Sequence, residues 1–258
     1  MVSSHTAVAI AQTVFYAPVL PITVYLLIRN WKAGPRLAWY PLVLFCLMRL
    51  AGGITVIIWS TDVNNLGLII ASIVLLNLGL IPLIVTINAL TRFVIASSFP
   101  DDVWGLRIGR ILRFAILVAI GLLIAAGSLI GNARLVDTQR TLTKVGYVEF
   151  VVILCVLVVM LLRLQIRQKD IKIQDFIYVK LTLITTPFIM LRAIFGLLYA
   201  FTSHDVFSMW NPLFGSALAF GLIALLPEYI ALVTYIYLGF YRIRTARQYA
   251  ASHKESAT

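Results

Sequence analysis

The sequence has 258 residues, of which 61% are hydrophobic and 12% are charged, and its mean hydropathy is +0.98. Soluble chains carry about 25% charged residues, so this composition excludes a soluble domain and indicates a membrane protein. The formal net charge of +11 would suit nucleic-acid binding. However, the basic residues lie at the ends of apolar runs and not on one basic face, so we expect no nucleic-acid partner.

Seven apolar runs follow one another along the chain, each long enough to cross a bilayer as a helix. They cover residues 6–28, 37–59, 66–91, 112–132, 143–164, 177–201 and 213–241. The connections are short, which predicts an all-α polytopic membrane fold with seven transmembrane helices. Residues 1–247 would form a single seven-helix transmembrane domain, and residues 248–258 would form a short polar tail.

The distribution of Lys and Arg between the two sets of loops predicts the orientation of the chain. Sixteen basic residues flank one side: Arg29, Lys32, Arg36, Arg92, Arg107, Arg110, Arg113, Arg163, Arg167, Lys169, Lys172, Lys180, Arg242, Arg244, Arg247 and Lys254. The other side has Arg134, Arg140 and Lys144. We therefore expect the N-terminus to be lumenal or outside and the C-terminus to be cytosolic. The expected location is integral to a membrane, in the endoplasmic reticulum.

Familiar metal and cofactor motifs are missing from the sequence. It has no Gly-rich phosphate loop, no His-Glu-x-x-His motif and no Asp-rich pair of the kind that holds Mg²⁺ around a diphosphate. The two cysteines, Cys46 and Cys155, lie inside apolar runs and not at metal-ligand spacing. We therefore expect neither a metal ion nor another cofactor.

Four charged residues lie inside the predicted spans, and their charges sum to zero: Arg49, Glu149, Arg192 and Glu228. A charge within the bilayer is costly unless it is paired, protonated or facing a cavity, so each is a functional candidate. Glu228 is the strongest, because it follows Pro227 near the middle of the last run, where the proline should kink the helix. Two Arg–Glu pairs are the least costly arrangement of four such charges. The alternative is that Glu228 belongs to an ion pair that only fixes helix packing.

Other polar and aromatic side chains recur at helical spacing, so that they share faces with these charges. On the sixth span they share the face of Arg192, and on the seventh span the face of Glu228. Besides the four charges, the candidate cavity residues are Asn77, Phe188, Phe195, Tyr199 and Tyr235. We predict that these side chains line a polar cavity open to the lumenal side. Gly52 and Gly53 would let a ligand or a neighbouring helix approach the backbone beside Arg49.

Three short segments carry a resemblance to known proteins: Arg49-Leu-Ala-Gly-Gly53, Pro187 to Arg192 (PFIMLR) and Pro227-Glu228. With these segments on seven spans, the chain resembles small fungal integral membrane proteins, most of all the membrane-bound terpene cyclases of ascochlorin- and macrophorin-type meroterpenoid pathways. In the pyripyropene and paxilline type of membrane cyclase, a Glu on an early helix cooperates with a late Asp. Here the early helices carry Arg49 and no acid, and the second acid is Glu149. The chain also resembles fungal seven-span stress proteins associated with lipid translocation.

The cyclase resemblance implies protonation of a terminal alkene or epoxide on a hydrophobic, prenylated small molecule dissolved in the bilayer. Glu228 is the expected proton donor, and Glu149 is the expected second acid or the partner of an arginine. The residues expected to bind the substrate are Arg49, Arg192, Asn77, Phe188, Phe195, Tyr199 and Tyr235. Aromatic faces suit this chemistry because they stabilise cations, and a dry cavity prevents premature capture by water.

Two hypotheses from other classes compete with the cyclase. The first is a lipid-translocating or lipid-binding protein whose charged cavity holds a headgroup, as the resemblance to the stress proteins implies. The second is a structural or sensory membrane protein, in which the intramembrane charges only hold helices together.

Overall fold

The computed structural model describes residues 4–31, 36–62, 64–205 and 207–255. Within these ranges the protein consists of helices and turns with no β-strand, and seven helical units are long and apolar enough to cross a membrane. The predicted all-α fold with seven spans is thereby confirmed. The helices are α1 (Ser4–Asn30), α2 (Arg36–Trp59), α3 (Leu66–Leu78), α4 (Leu80–Ser98), α5 (Val103–Ser128), α6 (Val136–Ile166), α7 (Ile173–Phe201), the single turn α8 (Ala217–Ala219) and α9 (Leu226–Glu255).

The third and seventh spans are not continuous α-helices. The third consists of α3 and α4, which are separated by a break at Gly79. In the seventh, α8 leads into a π-helical segment, Phe220–Leu225, which continues into α9. The apolar runs do not reveal such breaks, because both parts of each span belong to one uninterrupted apolar stretch of sequence. The two interruptions lie next to the charged side chains described below.

Several helices extend beyond the apolar runs on the basic side of the protein. The ends of α4 to α7 continue past the runs and contact one another through polar groups, as in the hydrogen bond from Ser98 Oγ to Asp175 Oδ2 (3.4 Å). Asp102 caps α5 by accepting a hydrogen bond from Gly105 N (3.0 Å). Its Oδ2 also forms an ion pair with Arg163 Nη2 at 3.7 Å. At the other end of the chain, α9 runs to Glu255. Most of the predicted polar tail is therefore helical, while residues 256–258 lie outside the described residues.

The helices surround one buried centre. α1 packs along α2, α2 also contacts α3 and α4, and α7 contacts α4, α6 and α9. Large apolar side chains such as Ile111, Phe114 and Val159 remain exposed on the outer faces. Exposed apolar faces around a packed interior are what a bilayer requires of a helical bundle.

The predicted orientation can be tested with single cysteines at the two ends of the chain. With Cys46 and Cys155 replaced by alanine, Ser4→Cys should be protected from a membrane-impermeant maleimide in sealed microsomes, because the N-terminus is expected in the lumen. Gln248→Cys should be labelled under the same conditions. Both positions are exposed in the structure, so burial in the protein would not block the reagent. The reverse labelling pattern would contradict the orientation.

Candidate functional site

Three of the four intramembrane charges meet at the centre of the bundle. Arg49 of α2, Arg192 of α7 and Glu228 of α9 are 0%, 1% and 0% exposed. Arg192 Nε donates a hydrogen bond to Glu228 Oε1 (2.6 Å), and Arg49 Nη2 donates to the same oxygen. Hydrogen bonds between ionised partners are about twice as strong as neutral ones. We refer to these three side chains as the Arg–Glu–Arg triad.

The triad has a second acceptor, the main-chain carbonyl of Leu76. Arg49 Nη1 donates to this oxygen at 3.0 Å, and Arg192 Nη2 donates to it at 2.9 Å. Leu76 lies in the last turn of α3, just before the break at Gly79. The last carbonyl groups of a helix lack intrahelical donors and carry the negative end of the helix dipole, so they attract cations. The break therefore supplies an acceptor for both guanidinium groups in the interior of the membrane.

Gly79 also makes room for the triad. A Cβ atom at this position would lie 2.7 Å from Arg49 Nε and even closer to other atoms of the guanidinium group. Only a residue without a side chain lets Arg49 lie against the backbone here. Gly53 has a related role, because a Cβ there would lie 3.2 Å from Ala9 O of α1. The sequence predicted that either a ligand or a neighbouring helix would approach the backbone at Gly52 and Gly53. In the structure the neighbour of Gly53 is the helix α1.

We expect Gly79→Ala to destabilise the protein by about 1–3 kcal/mol, the usual range for one methyl group forced into a packed interior. The added methyl would displace the Arg49 guanidinium from Glu228 and Leu76. Thermal unfolding in detergent measures the effect, with Gly121→Ala as the matched control, because a Cβ at Gly121 meets no heavy atom within 4 Å. Equal unfolding temperatures for the two variants would contradict this role of Gly79.

The triad retains unused hydrogen-bonding capacity. Among the described residues, Glu228 Oε2, Arg49 Nε and Tyr16 Oη are buried without a hydrogen-bond partner. The two guanidinium groups and one carboxylate also leave one excess positive charge in the bundle. No group of three or more His, Cys, Asp or Glu in the described part of the chain is placed to hold a metal ion. The unpartnered Glu228 Oε2 and Arg49 Nε are therefore available to a polar group of a small molecule.

Glu149 does not join the triad. It is half-buried on α6 and forms no ion pair with any described residue. Tyr147 and Phe150 occupy the buried side of α6, whereas Val148 and Val152 are exposed, so Glu149 lies at the border between the two sides. The second Arg–Glu pair that the charge balance suggested is not formed. Depth along a span can be read from the sequence, but the direction of a side chain around the helix depends on how the helices pack.

Asn77 and Tyr199 lie beside the triad. Asn77, next in the chain to Leu76, accepts a hydrogen bond from Tyr147 Oη at its Oδ1 (2.9 Å) and donates from Nδ2 to Ile73 O (2.9 Å). Asn77, Tyr147 and Tyr199 line a cavity of about 30 Å³, which is the size of a water molecule. Tyr147 was missed by the sequence reasoning, because a tyrosine in an apolar run has no distinguishing spacing.

Phe195 is the predicted aromatic residue that contacts the triad. The Arg192 guanidinium lies 5.8 Å from the centroid of the Phe195 ring, which suits a cation–π contact. The ring also packs against Phe220 of the π-helical segment and against Trp210, with centroid distances of 5.9 Å in both pairs. Phe195 therefore connects the triad to the irregular part of the seventh span.

Phe188 and Tyr235 lie farther from the triad. Phe188 is half-buried one turn before Arg192, and its ring makes none of the aromatic or cation–π contacts found among the described residues. Tyr235 is completely buried two turns after Glu228, and its hydroxyl has no hydrogen-bond partner in the described part of the chain. Within the described part of the chain, neither side chain has a hydrogen bond or a cation–π contact with the triad.

A cluster of aromatic rings on the opposite side of Glu228 was not among the predicted site residues. Phe15 stacks on Tyr229 at 4.2 Å, Tyr16 meets Phe45 edge-on at 5.6 Å, and Tyr16 also contacts Tyr229. The Arg49 guanidinium lies 5.7 Å from the centroid of Phe45. A signal for this cluster was present in the sequence: Gln12 and Tyr16 are four residues apart and therefore share one helical face. Both side chains point to the interior of the bundle.

The helix geometry around Glu228 is irregular. The π-helical segment Phe220–Leu225 ends immediately before α9, and Pro227 lies in the first turn of α9, where a missing N–H is tolerated. Single π turns inside helices occur mostly at functional sites. The kink at Pro227 stays a prediction, and the irregularity that the structure shows is the π segment, after which Glu228 lies in the first turn of α9.

These features define a polytopic α-helical membrane protein with seven spans and a buried Arg–Glu–Arg triad at its centre. Residues 2–245 match the family described as a domain of unknown function, DUF7702, and the chain belongs to this family. The match includes all seven spans and every residue of the triad. No curated protein and no solved structure matches the chain.

Proposed function

We propose that the protein is an integral membrane terpene cyclase, which starts the cyclisation of a prenylated substrate by protonating its terminal alkene or epoxide. The observation that supports this proposal is the environment of Glu228. Its carboxyl group is buried within the seventh span, with one oxygen bound by two guanidinium groups and the other oxygen without a partner among the described residues. An ionisable group at such a depth is a functional candidate by default.

Each oxygen of Glu228 has its own role in the proposed reaction. Oε1 accepts from Arg49 and Arg192, and these bonds orient the carboxyl group. When substrate is bound, Oε2 carries a proton that the carboxylate of the resting protein has taken up, and it transfers this proton to the terminal alkene carbon or the epoxide oxygen. The resulting cation is attacked by the next double bond of the substrate, and the final cation loses a proton to the Glu228 carboxylate, so that the product is an isomer of the substrate. Glu149 is the alternative acid.

The surrounding aromatic rings suit the cationic intermediates of this reaction. Phe195 lies on one side of the triad, and Tyr16 and Tyr229 lie on the other. Ring faces attract cations without acting as bases, so they would stabilise the positive charge as it moves along the substrate. Asn77 and Arg192 are the proposed contacts for the polar head of the substrate.

Substrate binding in this proposal requires the bundle to open. Two cavities lined by neighbours of the triad, Leu76 in one and Asn77 in the other, hold about 10 and 30 Å³, which is room for water and not for a prenyl chain. The π-helical segment is the element that would move, because it ends three residues before Glu228 and its Leu222 is exposed to the lipid. A substrate dissolved in the bilayer would then enter from the side.

Direct conversion of a candidate substrate tests the proposal. Membranes that contain the protein are incubated with prenylated phenols that carry either a terminal alkene or a terminal epoxide, and the products are analysed by mass spectrometry and NMR. We expect a cyclised product with the mass of its substrate. A lipid-binding or structural protein would leave all of these compounds unchanged, and this result with correctly folded protein would contradict the cyclase.

A further inference from the structure

A groove on the outer surface of the bundle is much larger than the spaces around the triad. It lies between α2, α4 and α5, is open to the bilayer and has a volume of about 270 Å³. Its walls are mainly aliphatic and include Leu44 of α2, Val85 of α4 and Leu117 of α5. Small-molecule sites usually start at about 300 Å³, so the groove has room for one flexible chain and not for a whole lipid.

One end of the groove is polar. Tyr40, Asn88 and Arg113 line it there, each from the part of its helix that is nearer the predicted cytosolic side. The α4 and α5 helices meet closely at this point, because Asn88 Nδ2 donates to Gly109 O (3.2 Å) and the aliphatic part of the Arg92 side chain lies against Gly109. The groove is thus apolar along most of its length and polar and basic at the end nearer the predicted cytosolic interface.

Three arginines lie near this end, and one of them, Arg113, lines the groove. Arg110 precedes Arg113 by one turn on α5, and the Arg92 side chain lies against Gly109 of the same helix. None of the three has an ion-pair partner among the described residues, and Arg92 Nε is buried without a hydrogen-bond partner. Like charges repel one another, so an arrangement without an acidic partner favours an anion.

The predicted orientation identifies the source of that anion. The three arginines belong to the basic side of the protein, which is expected to face the cytosol. Anionic phospholipids are concentrated in the cytosolic leaflet, and basic pockets between transmembrane helices on this side bind their headgroups. An anionic phospholipid fits all three features of the groove: the positive charge of the arginines, the position near the cytosolic side of the bilayer, and the apolar walls.

We propose that this groove binds an anionic phospholipid of the cytosolic leaflet. Arg92, Arg110 and Arg113 hold the phosphate of the headgroup, and one acyl chain lies along Leu44 and Leu117. The site is separate from the triad and does not depend on the cyclase. A zwitterionic lipid binds less well, because its ammonium group is repelled by the arginines.

Retention of defined lipids tests this site. The full-length protein is extracted from vesicles of phosphatidylcholine that contain phosphatidic acid, and the bound lipids are identified by native mass spectrometry. The parent should retain phosphatidic acid in preference to phosphatidylcholine. The double variant Arg110→Gln/Arg113→Gln should bind phosphatidic acid about 25-fold more weakly, since each basic residue near a membrane surface contributes about fivefold. Equal retention of the two lipids by the parent would overturn the proposal.

Arg107→Gln is the matched control for the headgroup. It removes one positive charge from the same helix, half of what the double variant removes, and the Arg107 guanidinium is exposed and lies 5.7 Å from the Trp104 ring. This variant should retain phosphatidic acid within about twofold of the parent, because a surface charge outside the pocket acts only through the screened field. A loss as large as that of the double variant would show nonspecific attraction instead of a site.

Leu117→Trp tests the channel for the acyl chain. Leu117 is 57% exposed and lines the groove, so a larger side chain should fill it without disturbing the core. We expect this variant to lose phosphatidic acid while its unfolding temperature stays that of the parent. Unchanged retention, together with the loss in Arg110→Gln/Arg113→Gln, would show that the arginines hold the headgroup and that the groove does not hold the chain.

Discussion

Glu228→Ala should lower the free energy of unfolding by about 3–5 kcal/mol or prevent the protein from accumulating, because it leaves two buried guanidinium groups without a counter-charge. Arg49 and Arg192 are both completely enclosed, and neither can reach water to compensate. The measurement is the yield of folded protein together with thermal unfolding in detergent. Arg163→Met is the control: its partner is Asp102 at 3.7 Å, but its side chain is 55% exposed. An exposed pair contributes about 0–1 kcal/mol.

Replacement of the whole triad should reverse this loss. In Arg49→Met/Arg192→Met/Glu228→Leu no charge remains, and apolar side chains of similar volume fill the same space. Exchanges of this kind in other buried ion-pair networks are neutral or stabilising by about 1–4 kcal/mol. We expect the triple variant to accumulate like the parent and to have an unfolding temperature at least as high. It should have no activity. If the triple variant is as unstable as Glu228→Ala, the triad is needed for folding itself.

The largest effect on activity is expected from removing the transferable proton of Glu228 without changing the net charge of the site. Glu228→Gln alone would leave two positive charges without a carboxylate. A loss of activity in this variant could then come from lower stability or from the missing proton. In Glu228→Gln/Arg192→Gln the excess stays at one positive charge, as in the parent. This double variant leaves Arg49 without a counter-charge, so its turnover is measured per amount of folded protein. Turnover should be almost completely lost, because an amide has no acidic proton to donate.

Three further variants separate the roles of the two intramembrane acids. Arg192→Gln alone should keep part of the activity, because the carboxyl of Glu228 survives with Arg49 as its partner. Glu228→Asp should also keep a residual rate, since the carboxyl is retained but moves back by one methylene group. Glu149→Gln should turn over substrate like the parent, because Glu149 lies apart from the triad. Full activity of the double variant with loss of activity in Glu149→Gln would transfer the acid role to Glu149.

The seven spans and the charges within them could be predicted from the amino-acid sequence. Membrane insertion depends on the sum of local hydrophobicity, so an apolar run near Glu228 or Arg192 can be recognised without knowing its neighbours. The same local rules identified Phe195 on the face of Arg192, because two positions three residues apart on one helix point in similar directions. The contact between their side chains follows directly from this spacing.

Which of the charges meet depends on the packing of the helices and could not be predicted from the sequence. The sequence balanced two arginines against two glutamates, but both arginines bind Glu228, and Glu149 stays at the border of α6. The reason is that partners on different helices depend on the rotation and packing of those helices, about which hydropathy carries no information. The break at Gly79 shows the same limit. The role of this break follows from a contact between distant parts of the chain. The guanidinium of Arg49, 30 residues before Gly79, lies against Gly79 and binds the carbonyl of Leu76.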